Sequence, residues 1–423
     1  NWDQRDMHYE MEQEEHDVYP DDPDFDINKA RLVTTAPRIC VRYECVPMRF
    51  IKHVYKIHTY AQDGRLFEGK TPVSAFLNSS YDGSFIAGLM ELRYIQSLPV
   101  ERIINYFESH GFTLKKPTAH KLMEKASSLF ENLYKCIRQT ALSDPYKAAD
   151  ETYYKILVPE KNSKGKGVRK GYLWVVVGIN TRMIYLLYDD GSRSEKVILN
   201  ELGGCKGIIQ SDGYSPYRKL ESDAYPHITR IPCLQHIKRK FIDCGEDDPD
   251  AKRIVEMINT LYQNEHKHKI GVDGWTVEQN LVHRKKYAPD ILGEIKDVLD
   301  DIEERGDLLP KSELKEAVTY LRNEWNAVVD IFNYGDTYLD NNIVERMNRY
   351  ISLSRKNSLF FGSHKGAERG AILYTIALTC RMNKVNLFEY LTDVINRTAE
   401  WQPNTPLEKY RLLLPDRWEK AND

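Results

Sequence analysis

No apolar run in this chain reaches the length a membrane-spanning helix needs. The longest, Tyr172 to Ile179, is far short of the ~20 residues that cross a bilayer. Nothing at its start has the pattern of a signal peptide. Cysteine is sparse: the seven residues are scattered along the chain, which argues against a disulfide scaffold and suits a reducing cytoplasm. Internal repeats and low-complexity tracts are missing as well, which removes solenoids and fibrous classes. The chain opens on Asn rather than Met, as an internal stretch of a longer protein would. What remains is a globular composition, 41% hydrophobic and 29% charged over 423 residues. That length allows two or three domains with real cores.

The net charge of −3 conceals an asymmetry. Residues 1–26 hold eleven acids against the single base Arg5, so the rest of the chain carries a net +7. An acidic block with so little apolar content reads as a solvated, mobile segment over residues 1–29. A DNA-mimicking or partner-binding tail is its functional alternative. The basic remainder permits nucleic acid as a partner without requiring it.

Residues 30–83 alternate and are β-rich, in Ile39-Cys-Val-Arg-Tyr and in Phe50-Ile-Lys-His-Val-Tyr-Lys-Ile-His, which predicts a small sheet or ribbon. Cys40 and Cys45 would supply half of a zinc site, but no second Cys pair follows at suitable spacing and His53 and His58 are the only nearby completions, so zinc is the less favoured reading. Residues 84–143 read as helical: Val100 to His110, a turn at Gly111 to Lys115, and one longer helix over Pro117 to Ile137 with Pro at its first position. Helix, short Gly-containing turn, helix is the skeleton of a helix-turn-helix, and Lys115, Lys116 and Lys121 would set positive charge where DNA phosphates lie. Two-helix hairpins also occur in proteins that bind no DNA.

From Lys147 the period changes to β. Strands are predicted over Lys147–Val158, Tyr172–Ile179, Met183–Tyr188, Lys206–Gln210 and His227–Pro232, with a helix at Ser194–Leu202. A three-strand meander, a crossover helix and further strands is the order of a ribonuclease-H-like, retroviral-integrase-type α/β core. Its first part is assigned to residues 144–235. Apolar stripes at helical spacing then predict an insertion over 236–335 that packs on itself: Ile254/Met257/Ile258/Leu261, Ile291/Ile295/Val298/Leu299/Ile302 and Leu314/Val318/Leu321/Trp325/Val328. Residues 336–363 return to the core with a helix near Leu339–Leu353, and residues 364–423 read as a C-terminal helical region with Asn386 as an N-cap.

Three acids stand out. Asp150 lies on the first core strand, Asp212 just after the fourth, and Glu345 on the late helix. Ile343, Met347, Tyr350 and Ile351 are predicted to form that helix's apolar face, with Glu345, Asn348 and Arg349 on the other side. Glu151 alternates to the opposite face from Asp150. Three convergent carboxylates are what two magnesium ions need, since Mg²⁺ requires hard oxygen ligands and a pair of ions can serve both oxygens of an in-line phosphoryl transfer. An isolated Glu on a solvated helix face is the bland alternative.

The chain resembles the DDE transposases of the insertion-sequence-66 family of bacterial mobile elements. The matching strings, in order, are Ala149-Asp-Glu-Thr, Gly171-Tyr-Leu-Trp-Val, Gln210-Ser-Asp-Gly-Tyr-Ser-Pro-Tyr, Cys233-Leu-Gln-His-Ile-Lys-Arg-Lys-Phe, Asn342-Ile-Val-Glu-Arg and Ser354-Arg-Lys-Asn-Ser-Leu-Phe-Phe-Gly-Ser. The resemblance implies catalysis by Asp150, Asp212 and Glu345 with two Mg²⁺ ions, Mn²⁺ as substitute, on terminal inverted repeats and target DNA. It also implies a homodimer or larger assembly on paired ends, with element-encoded accessory proteins as possible partners. A catalytically inactive DNA binder and a nuclease without strand transfer are the alternatives.

Two departures accompany the resemblance. Members often carry His two residues before the first acid, where this chain has Ala148, and many carry a Cys-rich zinc finger of which only Cys40 and Cys45 have any counterpart. Cys233 and His236 resemble a Cys/His pair found between the second and third acids of several DDE transposases. As a zinc site the pair would need Cys205 or Cys244, so a structural role near the acids is preferred. Lys238, Arg239, Lys240, Arg346, Arg349, Arg355, Lys356 and Lys365 are the candidate DNA contacts around the acids, with Asn341 and Asn342 beside them.

Overall fold

The computed structural model describes residues 48–420 except 55, 57, 63–64, 69–73, 77–78, 162–164, 166, 246, 307, 400 and 403. The acidic segment and the Cys40/Cys45 zinc expectation lie outside the described residues. The chain divides into two units, residues 1–49 and residues 50–423, and the architecture below is that of the second.

The string from Phe50 to His58 contributes no strand among its described residues. Ile51 and Val54 are exposed. Alternation alone does not make a strand when no partner edge is available. A ribbon follows instead, β1 (Thr59–Gln62) antiparallel to β2 (Arg65–Glu68). Then come α1 (Gly83–Met90), a π turn at Glu91–Ile95, α2 (Val100–Ser109), α3 (Lys116–Leu129) and α4 (Glu131–Ser143). The single helix predicted from Pro117 to Ile137 is thus two. Phe130, fully buried, leaves helical geometry at φ −88°, ψ 3° and turns the chain.

The central sheet contains β3 (Tyr146–Leu157), β4 (Val168–Gly178), β5 (Met183–Leu187), β6 (Gly207–Ser211) and β7 (Ile228–Pro232), in the order β5-β4-β3-β6-β7. The first three are an antiparallel meander; β6 joins β3 in parallel, and β7 joins β6 in parallel. Parallel strands need a crossover, supplied by α5 (Glu195–Leu202), whose N-cap Ser194 accepts from the Lys196 amide. Gly207 begins β6 at φ +91°, where a Cβ would come 2.2 Å from the Pro145 carbonyl, so only Gly can bring β6 alongside β3. β6 pairs with β3 over Tyr146–Ala148 only. Among the described residues, the one backbone pairing of that edge beyond Ala148 is the bridge of Ile156 with Phe361.

After β6 comes the short α6 (Ser215–Arg218). Four longer helices follow β7: α7 (Leu234–Ile242), α8 (Pro249–Glu265), α9 (Val277–Arg305) and α10 (Glu313–Ile331). Asp248, Thr276 and Ser312 cap the last three, Thr276 in a reciprocal capping box with Gln279. The predicted stripes bury Ile254, Leu261, Val298, Leu299, Ile302, Val318 and Leu321, while Ile291, Leu314 and Trp325 stay partly buried. Each fully buried aliphatic side chain contributes about 1.5–3 kcal/mol. These helices pack on one another as expected, and Tyr146, Ile208 and Ile231 of the sheet join the same core. Buried Arg284 then ties α9 to Glu265 of α8 and to the Tyr334 and Thr337 carbonyls of the loop that follows α10.

The chain closes with α11 (Asn342–Ser358), α12 (His364–Met382), α13 (Leu387–Thr398) and α14 (Leu407–Arg411). These interleave with the early helices, α1 packing on α13, and α3 and α4 on α12. Among the described residues no helix is long and apolar enough to cross a membrane.

Candidate active site

Asp150 lies two residues past the last β3–β6 pair, Ala148 with Gln210. Continuing that register by two brings Asp212 beside it, in strands spaced ~4.8 Å apart. Alternation sends Asp150 and Glu151 to opposite faces. Asp150 Oδ1 accepts from the Glu151 amide at 2.8 Å, and Oδ2 from Asn348 Nδ2 at 2.7 Å. Burial, then the charges of Glu151 and Asp212, push the Asp150 carboxyl up to about 8. Glu151 on the other face is held by Arg193 and by the Tyr217 hydroxyl at 3.3 Å.

Asp212 is fixed on both sides of its peptide. Its side chain accepts from the Tyr214 amide at 3.1 Å, and its carbonyl accepts from buried Arg230. Arg230 also pairs with Glu324 of α10 and with Glu221. A Cβ at Gly213 would come 2.5 Å from the Tyr320 hydroxyl, which accepts the Gly213 N–H, so any larger residue in the turn after Asp212 would displace the Tyr320 side chain from that bond.

Glu345 stands in the first turn of α11. The helix buries Val344, Ile351 and Ser354. Of the predicted apolar face of Ile343, Met347, Tyr350 and Ile351, only Ile351 is therefore buried, and Ser354 is buried with its hydroxyl accepting from Arg93 of the π turn at 3.0 Å. Asn348, three residues after Glu345 and on its face, reaches Asp150. Glu345 Oε1 itself lies 3.7 Å from His236 Nε2. Ligating atoms of Cys233, His236 and Glu345 approach within 4.8 Å of one another, and theirs is the one such group among the described residues. The three acids do not close to that separation. Neither Cys205 nor Cys244 completes the Cys233/His236 pair; Glu345 takes that place. Burial pushes the Cys233 thiol up to about 12, and its sulfur accepts the Asn341 amide at 3.2 Å. Asn341 in turn donates from Nδ2 to the Ala149 carbonyl at 3.0 Å, clamping the start of α11 to the strand residue before Asp150.

The buried oxygens Glu345 Oε1, Asn341 Oδ1 and Asn348 Oδ1 and the nitrogen His236 Nδ1 have no hydrogen-bond partner. Unpartnered buried oxygens on α11 and its cap, one of them on the Asn348 that meets Asp150, are donors that a hard divalent cation can take up. Asp212, His236, Arg239 and Lys240 line one groove together with Arg193 and Tyr214.

The predicted cations are distributed. Lys115, Lys116 and Lys121 are exposed on or beside α3 and do not line this groove, and Lys116 pairs with Glu101. Lys238 is half-buried with its ammonium over Tyr262, whereas Arg346, Arg349, Lys356, Lys365 and Asn342 are exposed. Arg355 donates to the Tyr153 carbonyl, so it fastens α11 to the open edge of β3. Sequence reasoning missed Arg193, Arg230 and Tyr320, which no local motif flags. Asn348 was legible in its spacing from Glu345.

The family model described as "Transposase IS66 family" matches residues 78–369. Among curated relatives, the uncharacterized protein y4jD of Sinorhizobium fredii is 25% identical over 346 residues, covering 78% of this chain and 65% of its own length. The uncharacterized protein y4hP of the same organism is 24% identical over 438 residues, covering 94% of this chain and 76% of its own length. The chain thus spans about two thirds to three quarters of the relatives it matches.

Proposed function

The chain belongs to the IS66 family of transposases, and from that premise we propose that it cuts the terminal inverted repeats of a mobile element and joins them to target DNA. The observation that supports this reading is the Asn348 bridge from the helix of Glu345 to the Asp150 carboxylate, with Asp212 two residues past the last β3–β6 pair and at the wall of a groove that Arg239 and Lys240 also line. The strand order, with a crossover helix between meander and parallel pair, supports a ribonuclease-H-like core. The α2–α3 hairpin supports a helix-turn-helix role for residues 84–143, with assembly on paired ends as the companion proposal.

Asp150, Asp212 and Glu345 are the residues that would hold magnesium. When bound, a pair of such ions activates the attacking oxygen and stabilises the leaving one. The protein's own part is orientation. Asn348 and the Glu151 amide hold the Asp150 carboxylate in one rotamer, Arg230 and the Tyr214 amide hold Asp212, and Arg239 and Lys240 offer cations to a phosphodiester in the groove. Buried Asn341 fixes the entry of α11 against Ala149, so Glu345 cannot drift from the strand that carries Asp150.

The test uses end-labelled terminal-repeat DNA with and without magnesium. Cleavage followed by strand joining is expected, and Asp150→Asn, Asp212→Asn and Glu345→Gln should each abolish both while leaving end binding nearly unchanged. Cleavage at the unaltered rate in any one variant removes that residue from the site. Binding without cleavage by the unaltered protein would favour an inactive DNA binder, and cleavage without joining a plain nuclease.

A further inference from the structure

Arg355, Tyr153, Lys170, Tyr172, Arg193 and Tyr214 form an alternating ladder of cations and rings. The Arg355 guanidinium lies 3.9 Å from the Tyr153 ring centroid, and the Lys170 ammonium 4.3 Å from Tyr153 and 5.3 Å from Tyr172. The Arg193 guanidinium lies 5.1 Å from Tyr172 and 4.1 Å from Tyr214. Strand register builds the middle: Tyr153 is the β4 partner of Tyr172 and Lys155 that of Lys170, so three of the six rungs share one face. Three rungs also belong to the elements that bear the acids. Tyr153 follows Asp150 on β3, Tyr214 follows Asp212, and Arg355 lies on the helix of Glu345.

We propose that this ladder, on the sheet face that Glu151 shares, binds a DNA strand with unpaired bases that reaches the Asp212 turn through Arg193 and Tyr214, a reading that rests on the transposase function above. Charge supports it: Glu151, on the same face, is buried and already paired with Arg193. Each ring stands between two cations or beside one, which orders long side chains before any phosphate arrives and lowers the entropy lost on binding. A duplex backbone needs cations alone. Rings interleaved with cations are what a single strand needs, because every base has a face that can stack on a ring or a guanidinium plane. Tyr153 and Lys170 are both exposed and free to meet such a strand.

The test compares a fluorescein-labelled oligothymidine of about 12 nucleotides with a duplex of equal length, by anisotropy on the full chain in EDTA. Tyr153→Leu keeps apolar bulk but loses the ring, and Lys170→Met keeps the stem but loses the charge at an exposed position. Each is expected to weaken single-strand binding about tenfold, with duplex binding changed less than about twofold and the melting temperature of Lys170→Met unchanged. Equal losses on duplex and single strand, or no loss in either variant, overturn the assignment. Failure of the transposase reading is separable: it would appear as absent magnesium-dependent cleavage in a protein whose single-strand binding still depends on Tyr153 and Lys170.

Discussion

Asn348 donates to the Asp150 carboxylate across 2.7 Å from a position one helical turn beyond Glu345. The first and third acids are therefore joined by an amide that no charge-based reading would select. Asn348→Ala should remove that tie while leaving the helix intact, since Ala is the best helix former. Cleavage is expected to fall by about 10²-fold, the scale of loss that follows ångström-sized misplacement, with end binding unchanged. Single-turnover cleavage against a binding isotherm checks it; an unaltered rate would leave Asn348 a packing residue only.

The raised Asp150 carboxyl sets a pH dependence. A carboxyl whose folded value lies near 8, above the unfolded ~3.9, keeps its proton in the metal-free fold, so the folded state binds the extra proton between those limits. For this group stability is therefore highest at low pH and falls as pH rises toward about 8. Magnesium must displace that proton, so its apparent affinity should rise from pH 6 to 8, by at most about tenfold per unit, and level off above. Asp150→Asn should flatten this profile and raise the melting temperature of the metal-free protein at pH 8. Calorimetric titration of magnesium and thermal melts at several pH values check both; a flat profile in the unaltered protein would place the proton elsewhere.

Buried Arg230 connects α10 to the Asp212 turn through Glu324 on one side and the Asp212 carbonyl on the other. Glu324→Leu leaves that guanidinium with only the more exposed Glu221 as a charged partner. A loss of about 3 kcal/mol is expected from breaking a buried pair on one side, read by chemical denaturation, together with slower cleavage. A loss below about 0.5 kcal/mol would mean Glu221 suffices.

Much of this was legible in the chain itself. Asp150, Asp212 and Glu345 stand on or beside strands and at a helix start because turn and period signals there are local, and Ser194, Asp248 and Asn386 cap their helices for the same reason. The misses are tertiary. Which side of α11 is buried depends on partners remote in the chain, as Arg93 is for Ser354, so Val344 and Ser354 displace Ile343 and Met347 despite lower or equal hydrophobicity. Phe130 interrupts a continuous helical pattern through its own backbone, at φ −88°, ψ 3°, which no periodicity records. Arg230 and Arg193 find their acids across long separations in the chain, and nothing local announces such pairs.

Arg355 and Lys356 are neighbours with separate duties, and their variants should separate. Arg355 donates to the Tyr153 carbonyl at the unpaired edge of β3, while Lys356 is exposed. Lys356→Ala should leave stability unchanged and weaken end binding, with the slope of log affinity against log salt reduced by about one. Arg355→Ala should reduce binding too, but with a melting temperature lowered by the lost tie of α11 to β3, a loss of at most about 1 kcal/mol because water can replace an exposed hydrogen bond. Salt-dependent anisotropy and thermal melts on both variants check the division. An unchanged slope in Lys356→Ala would move the phosphate contacts to Arg239 and Lys240 in the groove, where Asp212 would still lie at the wall of the DNA path.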